Sequence, residues 1–537
     1  MIGHNMKSIP DNLTTQKTFL LILMSVIGIN FAYYIYYILQ FPRFIFDDYY
    51  IFYRIKTSPD MIFSNNPNEK FFLFFRPITY LYFYTIYHMA HNNAVVMKLM
   101  SLVVHICSTT ILLFTIKEYS ELFKIRTSCI MFILLGIFVS FNLDAFISVL
   151  WISNSNELLS GLLYVSIFYL IVLFLNNKIA SSLIFGILLN ILFLISILIK
   201  QNSAHLPLLL LILLFFFKDK IEPGKRKTLL ASFIGLSIIV VTFILLNILF
   251  YYQSHIINGL ENIYKKPFAI IGTLMISFFP FPGKNIYSYF ILHKLFAGVL
   301  LFILLGVVIW FIKTKNKITN YKNVFIYIII TILIYFPRIL AQSGERLNII
   351  QIVFFSSMLI FIFYEKRVFI LIVFSFAVLS NIIESQNVLA TIQNGYRYTR
   401  NADMALHEMR NNQLKEKVYV LWRNVWTTTP YSYYFNTRND FGNDTTIILS
   451  EIAAFNIRSW LDYARDVKII SAYPNYRLVT ANNHTYFNIT NQSSAQIIAK
   501  KGNDTRGYSE ILFKTNNIVG EDVNYVYYND SAWVKLR

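Results

Sequence analysis

The residues of this chain that could do chemistry are few, and they collect. Asp47 and Asp48 are adjacent carboxylates, Asp144 and Glu157 follow, and Lys200, His205, Arg338, Glu345 and Arg346 complete the set. In a chain this apolar, each ionisable residue near a membrane segment is a functional candidate, because burying charge in lipid is costly. A positioned carboxylate can take a proton from an attacking hydroxyl. Lysine and arginine hold anions, arginine with the two-pronged geometry that suits a phosphate. Taken singly, each has an ordinary explanation. Asp47–Asp48 reads as a solvated helix boundary, Lys200 as a snorkelling side chain, and Arg346 as a structural partner of Glu345 or Asp144. Glu157 and His205 read as helix-end packing residues, and His88, His91 and His105 as interfacial or core histidines. Taken together, they read as a site for an anionic, membrane-embedded substrate with a carboxylate available as base.

The elements that must position them are membrane helices. Of 537 residues, 56% are hydrophobic and only 14% charged, against about 25% charged in a soluble domain. The first 385 residues offer apolar runs of about 18–25 residues. These lie at 17–39, 94–116, 128–142, 154–175, 179–199, 204–217, 229–252, 287–312, 323–341, 347–363 and 368–385. The expectation is therefore a polytopic α-helical membrane protein of about 11 transmembrane helices. Disorder is excluded by the apolar content and a disulfide scaffold by having 2 cysteines. Cys107 and Cys129 both fall inside expected spans. The net charge of +19 does not point to nucleic acid, because its cations alternate between loops. With the N-terminus inside, Lys7, Lys17, Lys117, Lys124, Arg126, Lys178, Lys218–Lys227, Lys313–Lys322, Lys366 and Arg367 all fall on the cytoplasmic side, as the positive-inside tendency requires. All the candidate residues then lie at the opposite, outer face. Lys200 and Arg346 run against the tendency there, and a cation kept where the rule disfavours it implies an anionic partner. The first span is long, has Tyr33, Tyr34, Tyr36 and Tyr37 near its end, and lacks a small-residue cleavage site, unlike a cleaved signal.

Two regions lie outside the lipid. The loop 41–93 carries an aromatic stretch, Phe71 to Tyr84, that reads equally as an interfacial helix or an aromatic belt. The domain division expected is 1–385 in the membrane and 386–537 as a soluble outer domain. In the latter a polar helix at 391–416 precedes short β-rich runs at Val418–Trp422, Thr446–Leu449, Val467–Ala472, Glu510–Phe513 and Tyr525–Tyr528, giving an α/β or α+β domain. An external domain without cysteine fits a bacterial periplasm or cell surface better than a eukaryotic lumen.

At this point the chain resembles the GT-C glycosyltransferases, polytopic enzymes that use polyprenyl- or dolichyl-phosphate sugars. The likeness to the mannosyltransferase type covers roughly residues 30–365. An acidic pair follows the first span. Then come Arg76–Pro77–Ile78–Thr79, His105 in the second span, and Trp151–Ile152 leading to Glu157–Leu158–Leu159. Ile199–Lys200–Gln201 precedes Leu206–Pro207–Leu208, and Glu345–Arg346–Leu347–Asn348 stands at an outer helix end. Departures occur at Ile147, Asn142–Leu143 and Gln201, where the family carries an acid, His-Pro and an acid. The resemblance implies a GT-C-like catalytic domain in a bacterial inner membrane, acting at the periplasmic face. It implies transfer of a sugar, with inversion, from an undecaprenyl-phosphate donor to an acceptor hydroxyl, here a surface glycan such as O-antigen. Asp47, with Asp48 second, would be the base. Lys200, Arg346 and Arg76 would meet the donor phosphate, and Asp144, Glu157, His205, Glu345 and Arg338 are secondary candidates. No obligate metal is expected; a divalent cation such as magnesium or manganese on Asp47, Asp48, Asp144 and Glu157 is the alternative. Other readings are a protein O-glycosyltransferase of the same fold, an O-antigen polymerase or ligase, and a non-enzymatic transporter of lipid-linked glycans, which would want polar residues near midplane.

Overall fold

A computed structural model of the chain describes residues 16–44, 48, 51–52, 55, 76–91, 93–123, 129–200, 203–217, 221–250, 371–390 and 392–393, and ten strands between 417 and 535. The chain divides into two compact units. One comprises Met1–Gln40 and Asp60–Ser385, the other Phe41–Pro59 and Gln386–Arg537.

The first unit is helical throughout its described residues: α1 (Gln16–Gln40), α2 (Pro77–Met89), α3 (Ala94–Phe123), α4 (Cys129–Ser140), α5 (Leu143–Leu150), α6 (Ser155–Leu175), α7 (Ser182–Ile199), α8 (Leu206–Phe217), α9 (Pro223–Phe250) and α10 (Leu371–Ala390). Six of them are long and apolar enough to cross a membrane, and a seventh crossing is available if the bent pair α4–α5 counts as one. This is a multi-pass membrane protein. A helix suits that role because it satisfies every interior backbone group within itself. At 1.5 Å per residue, α1 with its 25 residues exceeds a hydrocarbon core of roughly 30 Å.

Of the eleven expected spans, 287–312, 323–341 and 347–363 lie outside the described residues. The expected 204–217 span is the 12-residue helix α8, short of a bilayer's thickness. The expected span 128–142 is also shorter than it reads, because the helix breaks after Ser140. Asn142 leaves helical geometry (ψ 133°) and its side chain accepts from the amides of Asp144 and Ala145, starting α5. The two pieces meet at 45°. What the sequence presents as an outer loop at 142–153 is thus a buried helix followed by a 3₁₀ turn, Ile152–Asn154.

Packing follows the apolar stripes. One core runs from Phe19 and Val26 of α1 through Leu113 of α3, Leu135 of α4, Tyr164 and Phe168 of α6, Phe193 of α7 and Leu236 of α9 to Phe374 of α10. Small residues bring backbones close. A Cβ on Gly136 would stand 2.4 Å from Val26 Cγ2, and one on Gly235 would stand 2.6 Å from Asn190 Oδ1. In α7 and α9 the opposite stripes, such as Leu183, Ile187 and Ile191 against Ile234, Ile238 and Val241, are exposed, as lipid-facing residues of a span are.

The second unit carries the strands β1 (Lys417–Val420), β2 (Ile447–Leu449), β3 (Ile452–Asn456), β4 (Val467–Ile469), β5 (Asn475–Thr480), β6 (Thr485–Ile489), β7 (Ala495–Asn503), β8 (Gly507–Thr515), β9 (Val523–Asn529) and β10 (Ala532–Lys535). They form one sheet in the order β10-β9-β1-β2, with β1 parallel to β2 and β9, and a second, antiparallel sheet in the order β3-β6-β8-β5-β4, with β7 paired to β8. The expected helix at 391–416 lies outside the described residues, apart from 392–393.

Candidate functional site

Three helix ends of the first unit meet around Glu157 and Lys200. Pro77 at the first position of α2 presets the helical backbone without needing a donor there, with Arg76 just ahead of it at the N-cap. Thr79 Oγ1 donates 2.7 Å to the carbonyl of Ile199, the last residue of α7. Lys200, next in the chain, is extended (φ −159°). Its ammonium pairs with the Glu157 carboxylate in the first turn of α6. Both side chains are under a tenth exposed. Glu157 is also well placed for its own helix, because a carboxylate in a first turn meets the positive end of the macrodipole.

Tyr82 of α2 closes the junction. Its hydroxyl lies beside those of Ser155 in α6 and Ser101 in α3, outside strict hydrogen-bond geometry, and burial pushes the phenol pKa up. Arg76 is half-buried, its Nε is enclosed, and burial pushes its guanidinium down to about 10. The cation therefore persists at neutral pH.

Beyond this junction, His205 accepts or donates at 2.5 Å with the Tyr164 hydroxyl, anchoring the start of α8 to α6. Asp144 is buried in the first turn of α5. The start of that helix is held from far along the chain. Asn381 of α10 accepts 2.9 Å from the Leu143 amide and 3.4 Å from Asn142 Nδ2, and its own Nδ2 donates 2.8 Å to Ala377 O. Among the described residues no group of three His, Cys, Asp or Glu side chains is disposed to hold a metal.

The structure thus pairs Glu157 with Lys200, and sets Arg76 at the start of α2, three residues before the Thr79 that bonds Ile199. Asp48 is buried, in the segment Phe41–Pro59 that belongs to the second unit. Asp47, Arg338, Glu345 and Arg346 lie outside the described residues. His105 is a core histidine: Nε2 donates 3.1 Å to Asn30 Oδ1, and Asn30 donates 2.8 Å to Ser140 Oγ. That assignment follows from Asn30 also donating to Val26 O, which leaves its oxygen as acceptor. His91 follows the C-cap of α2, Ala90, in left-handed geometry (φ 47°). Sequence reading passed over Lys98, which is fully buried in α3. The usable signal was a lone lysine inside the apolar stretch Ala94–Val103.

At the other end of α3 the charges are structural. Lys178 bridges Glu118 at 2.6 Å and Glu121 at 3.2 Å, and Asn176 donates 3.0 Å to Glu118. Partial burial lowers the Lys178 ammonium, and the two carboxylates outweigh it, so its pKa is raised. Lys225 donates 2.7 Å to the Phe174 carbonyl and also bonds Asn177.

No protein-family model matches the chain, and no curated protein matches its sequence.

Proposed function

We propose that this chain is a membrane glycosyltransferase of the GT-C type. It moves a sugar from a polyprenyl-phosphate donor, undecaprenyl phosphate in a bacterial inner membrane, to an acceptor hydroxyl at the periplasmic face. The acceptor is a surface glycan such as O-antigen. The observation that supports this most is the buried ion pair of Glu157 with Lys200 beside the start of α2, because residues far apart in sequence are brought together there at one end of an apolar helical bundle.

The chemistry has simple requirements. The acceptor hydroxyl attacks the anomeric carbon from the face opposite the phosphate, so configuration inverts. Its proton passes to Asp47, with Asp48 as the second carboxylate. The bond between the anomeric carbon and the phosphate oxygen breaks, and polyprenyl phosphate leaves with the electron pair. Lys200, Arg76 and Arg346 meet the charge that develops there, and fixed cations in a water-poor site are effective in that role. Glu157 holds the Lys200 ammonium at the helix end.

The test is turnover. Purified chain is incubated with radiolabelled undecaprenyl-phosphate sugars and a glycan acceptor, and release of undecaprenyl phosphate is followed. Turnover of one donor that Asp47→Asn or Asp48→Asn abolishes supports the reading. Wild-type turnover in both variants removes the base assignment, and no turnover of any donor sinks the reading.

A further inference from the structure

We infer that His105 is a positioning residue: through Asn30 and Ser140 it fixes the break between α4 and α5, and so the place of Glu157 beside Lys200. That role in transfer rests on the glycosyltransferase reading above. His105 Nε2 donates 3.1 Å to Asn30 Oδ1, and Asn30 Nδ2 donates 2.8 Å to Ser140 Oγ. Ser140 Oγ in turn donates 2.7 Å to Gly136 O, within α4 itself. Tyr34, one turn beyond Asn30 on α1, donates 3.1 Å to the Ser140 carbonyl. All four side chains are buried. His105, Asn30 and Ser140 thus form a chain of donors that runs one way, from α3 through α1 to the last residue of α4. Reversing a link would set two acceptors face to face. Inside an apolar bundle, a satisfied chain of this kind selects one arrangement of the three helices.

The break needs such a hold. Its residues, Ser140 to Leu143, include neither proline nor glycine, so the 45° bend takes its cause from side chains. The carbonyls of a helix's last turn have no partner within the helix, and Tyr34 takes that of Ser140. Asn142 and Asn381 then hold the start of α5. Beyond it the chain has little slack. The Trp151 amide donates 2.9 Å to Ile147 O, Asn154 Nδ2 donates 2.8 Å to Ser148 Oγ, and Ser155 Oγ donates 2.6 Å to Ile152 O. These bonds join α5 and the 3₁₀ turn to the first turn of α6, where Glu157 pairs with Lys200. At 1.5 Å per residue the 8 residues of α5 span roughly 12 Å, so a tilt of about 10° at the break carries its far end about 2 Å. Misplacing a reacting group by about 1 Å can cost about a hundredfold in rate.

The test uses the full chain in lipid nanodiscs and reads hydrogen exchange over Leu143–Glu157, thermal unfolding, and kcat and KM for an undecaprenyl-phosphate sugar. Only the Nε2 end of the His105 ring is tied, since Nδ1 makes no hydrogen bond. A glutamine amide reaches the place of Nε2, and the shorter asparagine does not. His105→Asn should speed exchange over Leu143–Glu157. It should also lower kcat about tenfold or more with KM within about twofold, because Lys200 meets charge that develops as the bond breaks. His105→Gln should return both close to the wild type. His105→Leu with Asn30→Leu removes both partners of one link, so it should unfold at a higher temperature than His105→Asn yet keep the low kcat. Exchange and kcat unchanged in His105→Asn overturn the inference. So does a double variant whose kcat recovers with its stability, since His105 then serves folding alone. If His105→Asn fails to fold, Ser140→Ala breaks the same chain at its far end and carries the comparison. Should the wild type transfer no sugar, the glycosyltransferase reading fails and exchange alone decides. Unchanged exchange then overturns the place of His105 as well, and faster exchange restored by glutamine leaves it standing.

Discussion

Glu157 opens α6, Lys200 closes α7, and the two side chains meet as an ion pair with 6% and 8% of their surface exposed. Such a pair contributes little net stability, but removing one partner strands the other charge. Glu157→Gln and Lys200→Met alone should each lower the stability of the membrane unit by about 3–5 kcal/mol, and the double variant should recover most of it. If Lys200 meets the donor phosphate as proposed, transfer should not recover with it. Thermal unfolding beside donor turnover separates the two; a double variant with full turnover would remove Lys200 from the site.

Asn381 should matter more than its helix position implies. It accepts from the first amide of α5 and from Asn142, and so joins α10 to the break after α4. Asn381→Leu would leave a buried amide without its acceptor, at about 1–3 kcal/mol. The effect should appear as faster hydrogen exchange at Leu143 and the residues after it. Unchanged exchange would show that Asn142 alone holds the start of α5.

How much of this was legible in the sequence differs by element. The long spans α1, α3, α6, α7 and α9 were readable because apolar length is a local property. The helix α5 was not. Its eight residues, Leu143 to Leu150, are buried on all sides even though Asp144 and Ser148 share a face, so its polar stripe marks no exposed side, and its start depends on Asn381, 238 residues away. The candidates Glu157 and Lys200 were visible as charges at helix ends, but their pairing is tertiary and has no sequence signal. Lys98 was hidden inside a span, where one cation near an end reads as snorkelling. In the second unit, β1, β2, β4, β8 and β9 overlap the β-rich runs, whereas β3, β5, β6, β7 and β10 escaped notice. In Asn475–Thr480, Asn475, Arg477 and Thr480 interrupt the apolar residues, so no apolar run stands out there.

Close packing of α1 against α4 gives a steric prediction. Gly136→Ala would place a methyl group 2.4 Å from Val26 Cγ2, where no real Cβ sits. Overpacking of this kind costs about 1–3 kcal/mol. Val26→Ala alone opens a cavity, so each single variant should be destabilised. The pair should be more stable than the sum of the two losses, by coupling of about 1 kcal/mol. Thermal unfolding of the four proteins gives the cycle, and strict additivity would mean the helices separate instead of clashing.

Arg76 supplies the pH dependence. Burial brings its guanidinium down to about 10, well below its ordinary value. Between those two values the unfolded chain holds the proton and the folded chain has lost it, so stability rises with pH across the window. The penalty of burying the cation is present in full below it. Arg76→Met carries no such penalty, so the stability of the wild type relative to it should rise as pH rises through 10. Ligand affinity should change in the opposite sense. Undecaprenyl phosphate should bind the wild type more tightly than Arg76→Met at neutral pH, and that advantage should fade above pH 10 as the guanidinium discharges. Paired titrations of the two proteins in pH steps isolate Arg76 from the lysines that titrate nearby. An advantage for the wild type that persists unchanged above that pH would mean that the arginine acts through shape and hydrogen bonding rather than charge.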